Sequence, residues 1–177
     1  MIKLINKSKL KSEKIEGILN LLPKKYISFD IEVRIYQNVF SLIRMVLSSK
    51  ISVSPVDFYN ILRLCVSGMY SGDKGDIVEI YLFNLPKKDC YIHLTHCLFH
   101  EFRHLYQNKY INKTYENEGI FIKDLASTKD FKKYVHNEHE IDAEDFAYSF
   151  FNENKAEIDR IWEITMDYDI ERGIIEL

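Results

Sequence analysis

Cys90-Tyr91-Ile92-His93-Leu94-Thr95-His96-Cys97-Leu98-Phe99-His100-Glu101-Phe102-Arg103-His104 carries the architecture of this chain, and the rest can be read outward from it. The run is apolar enough to be helical, and it contains His100-Glu101-Phe102-Arg103-His104, the pattern HExxH. Two histidines four apart lie on one helical face, so both imidazoles can reach a single ion. Glu101, next to the first of them, is placed to take a proton from a metal-bound water. A chain of this His and Glu content produces such a pentapeptide by accident roughly two times in a hundred, so the surroundings must carry the argument. All six histidines (His93, His96, His100, His104, His136, His139) fall in one part of the chain.

Downstream lies a second acidic and apolar segment, Glu138-His139-Glu140-Ile141-Asp142-Ala143-Glu144-Asp145-Phe146-Ala147. A hydrolytic zinc site takes three protein ligands and leaves a fourth position for water, and a carboxylate from a later helix is a common third ligand. Glu140 and Glu144 stand four apart. Either can be that ligand while the other orients a ligand histidine from outside. His93 and His96 share the helical stripe of His100 and His104, but Cys97 follows His96 where a base would be needed. Packing or hydrogen bonding is therefore expected of His93 and His96, and a small core side chain of Cys97. His136, His139 and Tyr134 are candidate catalytic donors to a tetrahedral oxyanion.

Competing metal classes fail on single residues. A longer HExxHxxGxxH motif would need glycine where Gln107 stands and histidine where Tyr110 stands. Cys65, Cys90 and Cys97 form no CxxC pair for a zinc ribbon, and the paired-cysteine signature of a zinc deaminase is missing.

The HExxH helix followed by Glu140-x-Asp142-Ala143-x-x-Phe146-Ala147 resembles the zincin metallopeptidases, and within them the ImmA/IrrE-like proteins of bacteria and mobile elements. The likeness covers roughly residues 65–150. It implies an α+β, zincin-like fold: a small antiparallel sheet packed on the HExxH helix, with further helices toward the C-terminus. It also implies His100, His104 and Glu140 as Zn²⁺ ligands, Glu101 as general base, and a protein or peptide substrate such as a regulator, in a phage or other mobile element. Glu144 stands where that family often has asparagine, and the segment between His104 and Glu140 is longer. Glu144 thus stays open as an alternative third ligand.

Length and composition agree with one domain over residues 1–177, with an N-terminal part to about 64, a metal-site core over about 65–150 and a closing helix over about 154–168. Apolar residues make up 46% and aromatics 14%, which argues for a packed globule rather than disorder. A net charge of −3 lacks the basic footprint of a nucleic-acid binder, so no nucleic-acid partner is expected. Three unpatterned cysteines, no signal-peptide core and no transmembrane span suggest a cytoplasmic protein.

Element by element, Ser12–Leu22 reads as a helix stopped by Pro23, and the lysines of the N-terminus as the solvated face of a helix. The alternation Ile27, Phe29, Ile31, Val33, Ile35 predicts a half-buried strand. Helices are expected over Val39–Leu47 and from Ser54-Pro55 to Leu64, then a hairpin of 65–70 and 77–83. Ile77–Leu82 reads either as an edge strand open to an added peptide strand or as an ordinary internal strand. Asp89 is expected to cap the active helix, Cys90–Lys109, and residues 110–135 to form a long connection beside the site. A helix bearing Glu140 and a last one with Ile158, Ile161, Trp162 and Met166 complete the chain.

The function expected is a zinc metallopeptidase in which Glu101 relays a proton from water to the leaving amine. A second class stays open: a non-catalytic protein of the same shape that binds and modulates a host or regulatory protein.

Overall fold

The computed structural model describes residues 1–48, 55–72, 75–111 and 137–170. In order these form β1 (Ile2–Lys7), α1 (Ser12–Leu19), the single turn α2 (Lys24–Ile27), β2 (Ile31–Tyr36), α3 (Val39–Leu47), α4 (Pro55–Arg63), β3 (Gly68–Ser71) and β4 (Asp76–Tyr81). A short 3₁₀ turn, Leu82–Asn84, leads to α5 (Cys90–Tyr106), which runs on as a π turn over Gln107–Ile111. The helices α6 (Glu138–Glu153) and α7 (Lys155–Trp162) close the fold. This is a mixed α+β protein. None of its described helices is long and apolar enough to cross a membrane.

The four strands form one sheet in the order β1-β2-β4-β3. The sheet is mixed, which corrects the expectation of an antiparallel one. β1 runs parallel to β2 (Leu4 opposite Val33) and β2 parallel to β4 (Val33 opposite Val78). The β3–β4 hairpin alone is antiparallel, with Tyr70 opposite Val78. Parallel neighbours need crossover connections, and α1–α2 and α3–α4 lie in the two crossovers.

Alternation along the strands divides the interior in two. Ile31, Val33 and Ile35 of β2 with Val78 and Ile80 of β4 point toward α1, α5, α6 and α7 and build the larger core. Tyr36 and Tyr81 face the other way, packing with Leu42 and Met45 of α3 and Ile61 of α4. On that second face Glu79 is buried but satisfied: it accepts from Tyr36 Oη at 2.9 Å, Tyr81 Oη at 3.1 Å and Arg34 at 3.2 Å.

Several sequence expectations need correcting. The N-terminal residues form a strand, not a helix face. Ile2 and Leu4 pack on the larger core and Ile5 on the smaller, while Lys3 meets Glu32 of β2 across the strand pair. The strand expected from Ile27 begins at Ile31, because Lys24–Ile27 coil into one turn that buries Tyr26. The Ile77–Leu82 strand is interior, flanked by β2 and β3, so among the described residues the sheet edge beside α5 belongs to β3. Asp89 takes the cap position with φ 52°, but its side chain accepts no capping bond from the helix N–H groups; its carboxylate accepts from Tyr91 Oη instead. α1 ends at Leu19, three residues before Leu22, and α7 ends at Trp162, before Met166. Ser54 and nearly all of the 110–135 connection lie outside the described residues.

The back of α5 is fixed by buried polar bonding as well as by packing. Thr95 donates to the Tyr91 carbonyl at 2.8 Å and accepts from Trp162 Nε1 at 2.9 Å, which ties α7 to α5.

Candidate metal centre

Two helices make the site, and small residues let them come close. On α6, Ala143, Ala147 and Phe151 are buried at spacings of four, so a narrow stripe faces α5. Helix separation is set by side-chain size at the contact, and alanine brings the backbones near enough for glutamate side chains to span the gap. Phe146 and Phe150 then flank the stripe, Phe150 meeting Phe99 of α5 edge-on at 4.9 Å.

The pairing of the helices is antiparallel and in register. His100 Nε2 lies 3.3 Å from Glu140 Oε2, His104 Nε2 lies 3.3 Å from Glu140 Oε1, and the two Nε2 atoms are 3.0 Å apart. Among the described residues, His100, His104 and Glu140 form the one group of three whose ligand atoms all lie within 4.8 Å of one another. A tetrahedral zinc ion with bonds of 2.0–2.2 Å separates its ligand atoms by about 3.4 Å. The observed spacings of 3.0 to 3.3 Å therefore suit one small ion shared by all three. Glu144 is one turn further along α6, at 3.3 Å from His100 Nδ1, outside this group.

Outer contacts orient the imidazoles. Gln107, the first residue of the π turn, donates from its amide nitrogen to the His139 carbonyl at 2.8 Å and to Asp142 at 2.7 Å. Its amide oxygen therefore turns to His104 Nδ1, 2.8 Å away, and an oxygen can only accept there. His104 must carry its proton on Nδ1, which leaves the Nε2 lone pair pointing into the site. Asp142 is itself held by a two-pronged Arg103 at 2.7 and 2.9 Å, and Arg103 also donates to Tyr26 Oη at 2.8 Å. Arg103, the second "x" of the motif, thus clamps α6 to α5.

The site is strongly cation-seeking. Burial works against charge on His100, yet hydrogen bonds to Glu140 and Glu144 and the nearby Glu101 outweigh it and raise the imidazole to about 10. His104 is raised too: burial opposes it and Glu140 prevails. Glu140 moves the opposite way, burial being overcome by the two histidines, and is held well below the usual carboxylate range. The raised imidazole favours the protonated form of His100 in the metal-free protein. A dication offers the same carboxylates more charge.

Glu101 is only 5% exposed and takes its position from β3. The backbone N–H of Tyr70 bonds its carboxylate, while Oε2 is buried with no hydrogen-bond partner among the described residues. Burial pushes its carboxyl above the ordinary value, with His100 and His104 pulling the other way. Such a carboxylate is poised to accept a proton and to hold it. Gly68 makes this possible: a Cβ there would stand 2.6 Å from Glu101 Oε1 and from Cys97 Sγ.

The sequence-derived residues fall into three sets. His100, His104, Glu140 and Glu101 come together, with Glu144 one turn away. His139 precedes Glu140 on the first turn of α6, half-buried, its N–H bonded to the Asn137 side chain. Tyr134 and His136 lie outside the described residues. Cys97 is half-buried beside the base, its thiol pushed well up by desolvation and then by Glu101 and Glu144. Sequence reasoning missed Gly68, Arg103 and the orienting role of Gln107. The i, i+3 spacing of His104 and Gln107 was a usable signal for the last, and the other two depend on distant contacts. No family model matches the chain, and no curated protein or solved structure matches it either, which leaves the geometry of the site as the ground for a functional reading.

Proposed function

We propose that this chain is a zinc-dependent endopeptidase of the zincin type, resembling the ImmA/IrrE-like proteins and cleaving a protein inside the cell that makes it. The observation that carries this reading is Glu101, a buried carboxylate with one oxygen unpartnered among the described residues, set beside a histidine–histidine–glutamate group of ligand spacing. A site that merely stored a metal would have no use for such a base.

His100, His104 and Glu140 would hold the ion, with their outer partners Glu144 and Gln107 fixing the imidazoles. Bound zinc lowers the pKa of a coordinated water from about 15.7 toward 7 and polarises a carbonyl. Glu101 takes the proton of the attacking water and delivers it to the departing amine nitrogen. Its raised affinity for protons suits both halves of that relay. The Tyr70 N–H anchors the carboxylate, so the exchange requires no large movement. Because β3 is a sheet edge and touches the base, its outer side offers backbone donors and acceptors to an extended peptide, which would lie across the site as an added strand. That mode makes little demand on substrate sequence. His139 is a candidate donor to the oxyanion.

Two histidines and a carboxylate also suit iron, and the built-in base is what favours hydrolysis over redox chemistry. The second reading, a partner-binding protein without turnover, is favoured by Phe40 (81% exposed), Leu47 and Tyr59 on α3 and α4.

The test is metal content of protein purified without chelator or affinity metal, followed by exposure to a proteome-derived peptide library read by mass spectrometry. About one zinc per chain, lost in His104→Ala, with cleavage abolished in Glu101→Gln, is expected. Well-folded protein that takes up no zinc overturns the proposal. Zinc without cleavage of any peptide or protein leaves the partner-binding reading.

A further inference from the structure

His96 is the one member of the histidine stripe that meets α6 without reaching the ion-sized group. Its Nε2 is buried, lies 3.3 Å from Glu144 Oε1, and makes no hydrogen bond among the described residues. The other oxygen of the same carboxylate lies 3.3 Å from His100 Nδ1. Glu144 therefore lies between His96 and His100, one oxygen 3.3 Å from each, as Glu140 lies between His100 and His104 one turn away. The two arrangements are images of each other, shifted by four residues in opposite senses on antiparallel helices.

They differ in one respect that fixes their roles. His100 can present Nε2 to only one of them, and that nitrogen faces His104 at 3.0 Å and Glu140 at 3.3 Å. The Glu144 group sees the Nδ1 edge, whose proton must go to a carboxylate if Nε2 is to bind a metal. A carboxylate with a single partner can rotate away, whereas one gripped at both oxygens cannot. Glu144 also has Glu101 and Glu140 as negative neighbours around the same imidazole, and a proton donor on its far side offsets that repulsion. We infer that His96 is a positioning residue for the metal centre: its Nε2–H holds Glu144, Glu144 holds His100 Nδ1–H, and His100 is thereby fixed with Nε2 toward the ion. The inference rests on the metal-site reading above and assigns a role to a histidine outside the HExxH motif.

Outer partners of metal-bound histidines typically alter metal affinity ten- to a hundredfold. Co²⁺ is the probe, because its visible absorption reports ligand geometry and a titration reports affinity without any substrate. His96→Ala is expected to weaken Co²⁺ binding about tenfold and to shift the visible band, while the metal-free protein melts near wild type. His96→Gln, whose amide nitrogen reaches about as far as Nε2, is expected to restore most of the affinity and the band. Unchanged affinity and spectrum in His96→Ala, beside a wild type that binds Co²⁺, overturns this inference alone. So does a loss that Gln does not restore and that is matched by a lower melting temperature of the metal-free protein, since His96 would then serve packing. A wild-type chain that binds neither Co²⁺ nor Zn²⁺ overturns this inference together with the metal site.

Discussion

Replacing Gly68 by alanine probes the contact on which the proposed chemistry depends. The new Cβ would stand 2.6 Å from Cys97 Sγ, 2.6 Å from Glu101 Oε1 and 2.9 Å from Glu101 Cγ. Ordinary contact begins near 3.4 Å, so about 0.8 Å of room has to be found. All three atoms belong to the buried face of α5, packed behind by Thr95 and Trp162, and the helix will not retreat. β3 is a four-residue strand with β4 as its one strand neighbour among the described residues, so it yields first. Overpacking of this kind costs about 1–3 kcal/mol, which for a chain of this size lowers the melting temperature by about 2–12 °C.

The functional consequence separates from the structural one. The three atoms nearest the new Cβ belong to Cys97 and Glu101 and to none of the metal-ligand residues, so metal affinity should stay within about threefold of wild type. Glu101, however, loses the Tyr70 N–H as the strand lifts, and a base displaced by about 1 Å costs on the order of 100-fold in turnover. Thermal unfolding of the metal-free protein, Co²⁺ titration and peptide cleavage read the three effects. Combining Gly68→Ala with Cys97→Ala removes the sulfur clash alone. The pair should couple by about 1 kcal/mol in stability, with the cleavage defect retained. If Gly68→Ala melts like wild type and shows no coupling to Cys97→Ala, β3 does not press on α5 and the account of the base is wrong.

Glu101→Gln keeps the shape of the base but cannot take a proton, so cleavage should fall by about 10²–10⁴ with zinc still bound; equal turnover in the two proteins would remove Glu101 from the mechanism. Gln107→Leu leaves His104 Nδ1 without its acceptor, and a zinc affinity lower by about 10- to 100-fold is expected; an unchanged value would mean that another group orients His104. In the metal-free protein the His100 imidazole is raised to about 10, above its ordinary value of about 6.5. That shift contributes stability in full below about pH 6.5, and the contribution is lost as pH rises through about 10. Zinc competes with the same proton, so zinc affinity should climb over that interval, as titrations at stepped pH would show. An affinity flat across the interval would mean that His100 is not the ligand that must shed a proton.

The helix pair was legible in the sequence because its information is local. His100 and His104 share a face through a spacing of four, and Ala143 with Ala147 marks the contact stripe of α6 by the same spacing. The sheet was legible only in its apolar alternation. Nothing within Ile31–Tyr36 or Asp76–Tyr81 states that these strands run parallel, since that follows from crossovers whose path is set by the whole chain. β1 escaped because Lys3 and Lys7 interrupt a short segment. Lys3 is charged because it sits beside Glu32 on the neighbouring strand, and the sequence of β1 does not contain that neighbour. Gly68 carries no motif either. Its meaning comes from Glu101, which folding brings against it.

The same arithmetic accounts for the division of labour along α5. A spacing of four, repeated at His96, His100 and His104 and answered by Glu140 and Glu144 on an antiparallel neighbour, generates two bridged carboxylates from one repeat. Only the lower one has a base attached, because glutamate follows His100 and cysteine follows His96. A glutamate in place of Cys97 would have to fit where Gly68 and Glu101 already crowd the sulfur, so the upper tier is sterically barred from acquiring a base of its own. On the proposed reading the repeat yields one reactive level and one supporting level. β3 distinguishes them: at its closest approach to α5 it has a glycine, with room for one carboxylate.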